Sequence, residues 1–83
     1  MIRPVPVVEE GRQILARRVR LLRAMRGWSQ EQLAESSGLH RTCISAIERQ
    51  KWNIGLDHIE RLAEAFSVPV SVLLRPFNGA DIQ

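Results

Sequence analysis

The chain has 83 residues, room for one domain with one modest core. An apolar content of 45% is too high for a disordered chain, and the longest apolar run is far too short to cross a bilayer. A single cysteine, Cys43, excludes an internal disulfide, and the isolated His40 and His58 give no metal-ligand spacing, so helix packing, aided by a second subunit, is left to stabilise the fold.

The formal charge of +3 says little by itself, but its distribution is uneven. Arg12, Arg17, Arg18, Arg20, Arg23 and Arg26 crowd one segment, and His40, Arg41, Arg49 and Lys51 another, while Glu60, Glu64 and Asp81 lie toward the C-terminus. Arginine-dominated asymmetry suits phosphate contact, although solvated helix faces would look the same.

Residues 1–9 read as an extended arm, because Pro4 and Pro6 deny helix and push their predecessors to extended backbone. The short apolar run there, broken by prolines and followed by Glu9 and Glu10, is not a secretory leader; with the lone thiol this points to the cytoplasm. From about Glu10 the pattern turns helical, with Leu15, Val19, Leu22 and Met25 on one face and Gly27 as the stop. Ser29 followed by Gln32 is a capping box that opens a second, short helix ended by Ser36, Ser37 and Gly38. A third helix is expected from about His40 to Arg49, with Ile44 and Ile47 inward. After the loop QKWNIG, Leu56, Ile59, Leu62, Ala63 and Phe66 mark a fourth, and Pro69 opens a short fifth at about 70–75 that Pro76 ends. Trp28 and Phe66 read as core, and residues 77–83 as a flexible tail. The fold class is all-α, five helices, with one domain over residues 10–76.

The informative segment is SQEQLAESSGLHRTCISAIER, residues 29–49. Its two helices are joined by a turn too short to lay them antiparallel. Gly38 supplies the positive φ the turn needs, and Ala34 is small enough to let the next helix cross close by. Leu33, Leu39, Ile44 and Ile47 form the wedge between them. This is the pattern of a helix-turn-helix, whose second helix enters the major groove of DNA. Opposite Ile44 and Ile47, that helix presents Arg41, Thr42, Ser45, Ala46 and Arg49 as base-reading candidates. Arg41, near its start, suits a bidentate contact to guanine O6 and N7; the Thr42 methyl and Ala46 suit a thymine methyl.

From about Leu15 to Leu74 the chain resembles the Cro/C1 phage-repressor helix-turn-helix family, with a λ-repressor-like fold. The resemblance rests on Gly27-Trp28-Ser29-Gln30, Leu33-Ala34, Gly38, Asn53, Leu56 and Leu62-Ala63. The run Arg41-Thr42, Ile44-Ser45, Ile47-Glu48-Arg49 is closest to restriction–modification controller-like regulators. The resemblance implies phosphate contacts from Ser29, Gln30, Cys43, Lys51 and Asn53, and an ion pair between Arg23 and Glu48 that orients the recognition helix. Gln50 stands where the family usually has glycine, which implies strain or a different cap there. Trp52 stands where a basic residue is common, and as a loop anchor, DNA contact or dimer contact it stays open.

The function expected is sequence-specific binding of double-stranded DNA as a homodimer on a palindromic operator. Pairing is expected through Val72, Leu74 and Phe77, with Val70 and Leu73 closing the core. The alternative is an antitoxin-type protein-interaction module with secondary DNA binding, which extensions of only about ten residues disfavour. No acid/base pair, nucleophile–base set or glycine-rich phosphate loop suggests an enzyme, and no cofactor, metal, small-molecule ligand or membrane partner is expected.

Overall fold

A computed structural model describes residues 7–51 and 53–77, with side chains from Gly11 onward. Trp52, the residues before Val7 and the tail beyond Phe77 lie outside the described residues. Five helices follow in order: α1 Val7–Arg26, α2 Gln30–Ser37, α3 Arg41–Glu48, α4 Leu56–Phe66 and α5 Val70–Leu74. α1 begins three residues ahead of the expected Glu10, just past Pro6, so the last part of the expected arm is its first turn.

One core joins all five helices. Leu15, Val19 and Leu22 of α1 meet Leu33, Ile44, Ile47, Ile59, Leu62, Phe66 and Leu73, with Trp28 packed against them. The rings of Trp28 and Phe66 stack with centroids 5.7 Å apart. Met25, expected on the inner face of α1, is exposed. Each step of three lags the helical period, so a second such step after Leu22 swings off the face. Arg26 beside Met25 is also exposed, but its guanidinium donates to the Phe66 carbonyl, where the C-terminus of α4 favours a cation.

Local chemistry sets the helix ends. The Ser29 hydroxyl accepts from the Gln32 amide at 3.1 Å, and the Gln32 side chain accepts from the Ser29 amide at 2.7 Å, completing the capping box. His40 caps α3, its Nδ1 accepting from the Thr42 amide at 3.1 Å. α1, α3 and α4 end alike. A left-handed residue follows the helix, directly after α1 and α4 and one residue beyond Arg49 after α3, and the next amide reaches back five residues: Trp28 to the Arg23 carbonyl, Lys51 to Ala46, and Val68 to Ala63.

Glycine fills that left-handed place after α1, but Gln50 fills it after α3 with φ 60° and Ser67 after α4 with φ 59°. A side chain in this conformation costs about 1–2 kcal/mol, partly offset because glycine would lose about 0.4–1 kcal/mol more chain entropy on folding. Gln50→Gly is therefore expected to stabilise the fold by about 0.5–1 kcal/mol, read as a raised midpoint in urea at unchanged slope. A lowered midpoint would mean that the Gln50 side chain contributes more than its backbone strain removes.

Candidate nucleic-acid interface

α3 is two-sided. Cys43, Ile44, Ile47 and Glu48 are buried, which makes one continuous stripe. Arg41, Thr42 and Arg49 are exposed on the other side, with Ser45 and Ala46 half-buried between them. Five of the expected contact residues thus share the outward face.

Cys43 does not join them. It is only 4% exposed and belongs to the core, so the phosphate contact expected of it is corrected. It lies four residues before Ile47 and beside Ile44, on the inward stripe. Burial pushes its thiol pKa up, which keeps it neutral and unreactive.

Glu48 is also on the buried stripe, and a carboxylate there requires a partner. Arg23 supplies it: Nε donates to Oε2 at 2.7 Å and Nη2 to Oε1 at 2.9 Å. Its remaining Nη1 donates to the Trp28 carbonyl at 2.8 Å, tying α1, the turn before α2 and α3 together. The hydrogen bond to Glu48 outweighs burial and raises the Arg23 pKa further, so the guanidinium stays charged. The Gln30 side-chain amide donates to Glu48 Oε1 at 3.1 Å. Gln30 is thus engaged in this network, although its position at the start of α2 is as expected. Arg20, absent from the expected set, donates from Nη1 to the Glu48 carbonyl at 2.7 Å. Two arginines one turn apart on α1 therefore hold the C-terminal end of α3.

Beyond α3, Lys51 and Asn53 are exposed and share a hollow with Gln50 and Arg12. Arg12 donates to the Asn53 side-chain oxygen, bringing a cation from α1 to the loop after α3. Ser29 is occupied as the cap of α2.

Helix–short turn–helix, with the second helix buried on one stripe and polar on the other, is the decisive geometry, and a model described as Helix-turn-helix matches residues 19–73. The chain belongs to the helix-turn-helix family. It is of the Cro/C1 type, whose members are DNA-binding transcriptional regulators. A Neisseria meningitidis protein described as a hypothetical transcription factor is 47% identical over 72 residues, 87% of this chain and 68% of that one. The crystal structure of a Neisseria transcription factor of the same description matches with TM-score 0.79 at 45% identity, covering 92% of this chain and 87% of that chain. Control protein C.SmaI of Serratia marcescens is 48% identical over 63 residues, 76% of this chain and 75% of its own length. The restriction-modification controller protein C.AhdI of Aeromonas hydrophila matches with TM-score 0.69 at 38% identity, over 72% of this chain and 91% of that chain.

Within this helix-turn-helix frame, the three expected pairing residues are placed differently from one another. Leu74 is exposed and lines an apolar hollow with Leu15, Ile54 and Ile59. Val72 is half-buried. Phe77, expected to face outward, packs against α1, with the guanidinium carbons of Arg18 and Arg17 at 3.9 and 4.4 Å from its ring centroid. The ring's negative face attracts these cations, and Arg18 also donates to the Arg75 carbonyl at 2.7 Å. Glu31 was not among the expected residues either. Its Oε2 lies 2.7 Å from Arg41 Nε, across the turn between α2 and α3.

Proposed function

We propose that the chain is a cytoplasmic transcriptional regulator that reads a palindromic site in double-stranded DNA as a homodimer, with α3 in the major groove. The observation that carries this reading is the two-sided α3: its inward stripe is fixed to the core and to Arg23, and its outward stripe holds Arg41 at the N-terminal end that reaches base edges in such motifs. Thr42, Ser45, Ala46 and Arg49 extend the reading face. Lys51, Asn53 and Arg12 hold flanking phosphates through their side chains, and the start of α2 at Ser29 and Gln30 adds its helix N-terminus.

Selection of bound duplexes from a random pool tests the reading. It is expected to return two half-sites related by a two-fold axis, with centres about 34 Å apart. Arg41→Ala is expected to weaken binding to the selected site by about 1–3 kcal/mol and to relax the preference at one base pair of each half-site. Equal loss on selected and random duplexes would show that Arg41 reads no base.

Pairing follows from the short reach of one helix, which addresses only about 4–5 base pairs. Leu74 beside the hollow of Leu15, Ile54 and Ile59 offers the apolar surface. Phe77 contributes by holding the segment after α5 to α1. Sedimentation at tens of micromolar is expected to give a dimer for the wild-type chain and a monomer for Leu74→Asp, with Phe77→Asp weaker in effect. A wild-type monomer that binds the palindrome without cooperativity would overturn the dimer.

A further inference from the structure

We propose that Glu31 is a specificity-determining positioning residue: its carboxylate holds the Nε edge of Arg41 and so turns the terminal Nη edge toward a guanine. The inference rests on the reading of Arg41 as a base-contacting residue and deepens it. A guanidinium offers paired N–H donors in two ways, side-on through Nε and one Nη, or end-on through both Nη groups. Glu31 Oε2 lies 2.7 Å from Arg41 Nε, which occupies the side-on edge. The end-on pair remains for guanine O6 and N7, the bidentate geometry of this contact.

The carboxylate is well fixed for this work. Glu31 sits in the first turn of α2, where negative charge is favoured. A hydrogen bond from its own backbone amide, with added help from Arg41 and Ser29, holds its pKa below the usual glutamate value, so it is charged at neutral pH. Both side chains remain largely exposed, 53% for Arg41 and 65% for Glu31. A pair this open adds little to folding stability, so its value lies elsewhere. A free arginine at the end of a flexible stem contacts any phosphate within reach. Here, Arg41 swinging to a phosphate leaves Glu31 unpaired beside the DNA backbone, where like charge repels it. Binding in the wrong register is penalised, and binding with guanine in place is not.

The test compares the duplex selected by the wild-type chain, the same duplex with 7-deazaguanine at the position relaxed by Arg41→Ala, and a random duplex. Glu31→Gln removes the charge, and Glu31→Asp keeps the charge but shortens its reach. Both are expected to melt like the wild type and to lose roughly tenfold in discrimination against the deaza and random duplexes, the scale of one bidentate contact. Glu31→Gln alone is expected to steepen the salt dependence. In an Arg41→Ala background neither change is expected to alter discrimination further. Glu31 variants that discriminate like the wild type, while Arg41→Ala does not, overturn this proposal and leave the reading of Arg41 standing. Loss in Glu31→Gln but not Glu31→Asp overturns it in favour of simple charge repulsion. Unchanged discrimination in Arg41→Ala removes the base-reading role, and this proposal with it.

Discussion

Glu48→Ala is expected to destabilise the fold by about 2–4 kcal/mol and to weaken DNA binding without removing any atom that touches DNA. The Glu48 side chain is 5% exposed, whereas Arg23 keeps 20% of its side chain in water. Loss of the carboxylate strands the Arg23 guanidinium against the core with only the Trp28 carbonyl at Nη1, and deprives the Gln30 amide of its acceptor. Residual access to water places the effect toward the lower end of what breaking a buried pair costs. Arg20 still grips the α3 terminus through the Glu48 backbone carbonyl, so the helix loosens rather than detaches. Urea melts of Glu48→Ala, Arg23→Met and the double variant check this. The double variant is expected to recover part of the loss, since no charge is then left unpaired, and the coupling is expected to exceed 1 kcal/mol. Independent, additive losses would mean that the pair has no energetic identity, whatever its geometry.

The features legible in the sequence are those written within one turn of chain. The capping box needs only Ser29 and Gln32, three residues apart, and it forms as expected. Gly27 is legible because a left-handed residue after a helix is a backbone requirement local to that residue, whereas Gln50 stands out only beside the glycine usual in the family. The Arg23–Glu48 ion pair is implied by family resemblance, and it also carries a purely physical signal: Glu48 falls on the same stripe as Ile44 and Ile47, and a carboxylate there needs a cation. That same stripe, extended one turn back from Ile47, places the Cys43 thiol inside and away from the contact face. Contacts that depend on how helices cross left no such trace. Glu31 meets Arg41 ten positions on because the turn folds α3 back across the start of α2. Phe77 turns inward because α1 happens to present two guanidinium groups where the chain emerges from α5. Neither distance nor direction follows from the spacing of these residues along the chain.

Binding to the selected site is expected to fall by about 10³–10⁵ between 50 and 200 mM salt, with a log–log slope of roughly −5 to −9 for the dimer. The estimate comes from counting what each subunit offers to phosphate. Cys43 is buried and the Gln30 amide is engaged with Glu48, which removes two side chains from the expected set. Arg12 replaces them, joining Lys51 and Asn53 at the loop after α3. Arg49 is exposed at the end of α3, its Nε only loosely held by the Ser45 carbonyl at 3.3 Å. With the N-terminus of α2, this makes roughly three to five phosphates neutralised per subunit, each releasing close to one counterion. Arg41 adds little to the slope, because its charge is already balanced by Glu31 before DNA arrives. Lys51→Ala is expected to lower the magnitude of the slope by about 2 for the dimer, one per subunit, and to weaken selected and random duplexes alike. Arg41→Ala is expected to leave the slope nearly unchanged while lowering discrimination. The two variants thus separate attraction to the backbone from reading of the bases on one small domain. A slope near zero for the wild-type chain would remove phosphate contact as the source of affinity, and would favour a protein partner on the surface around α3.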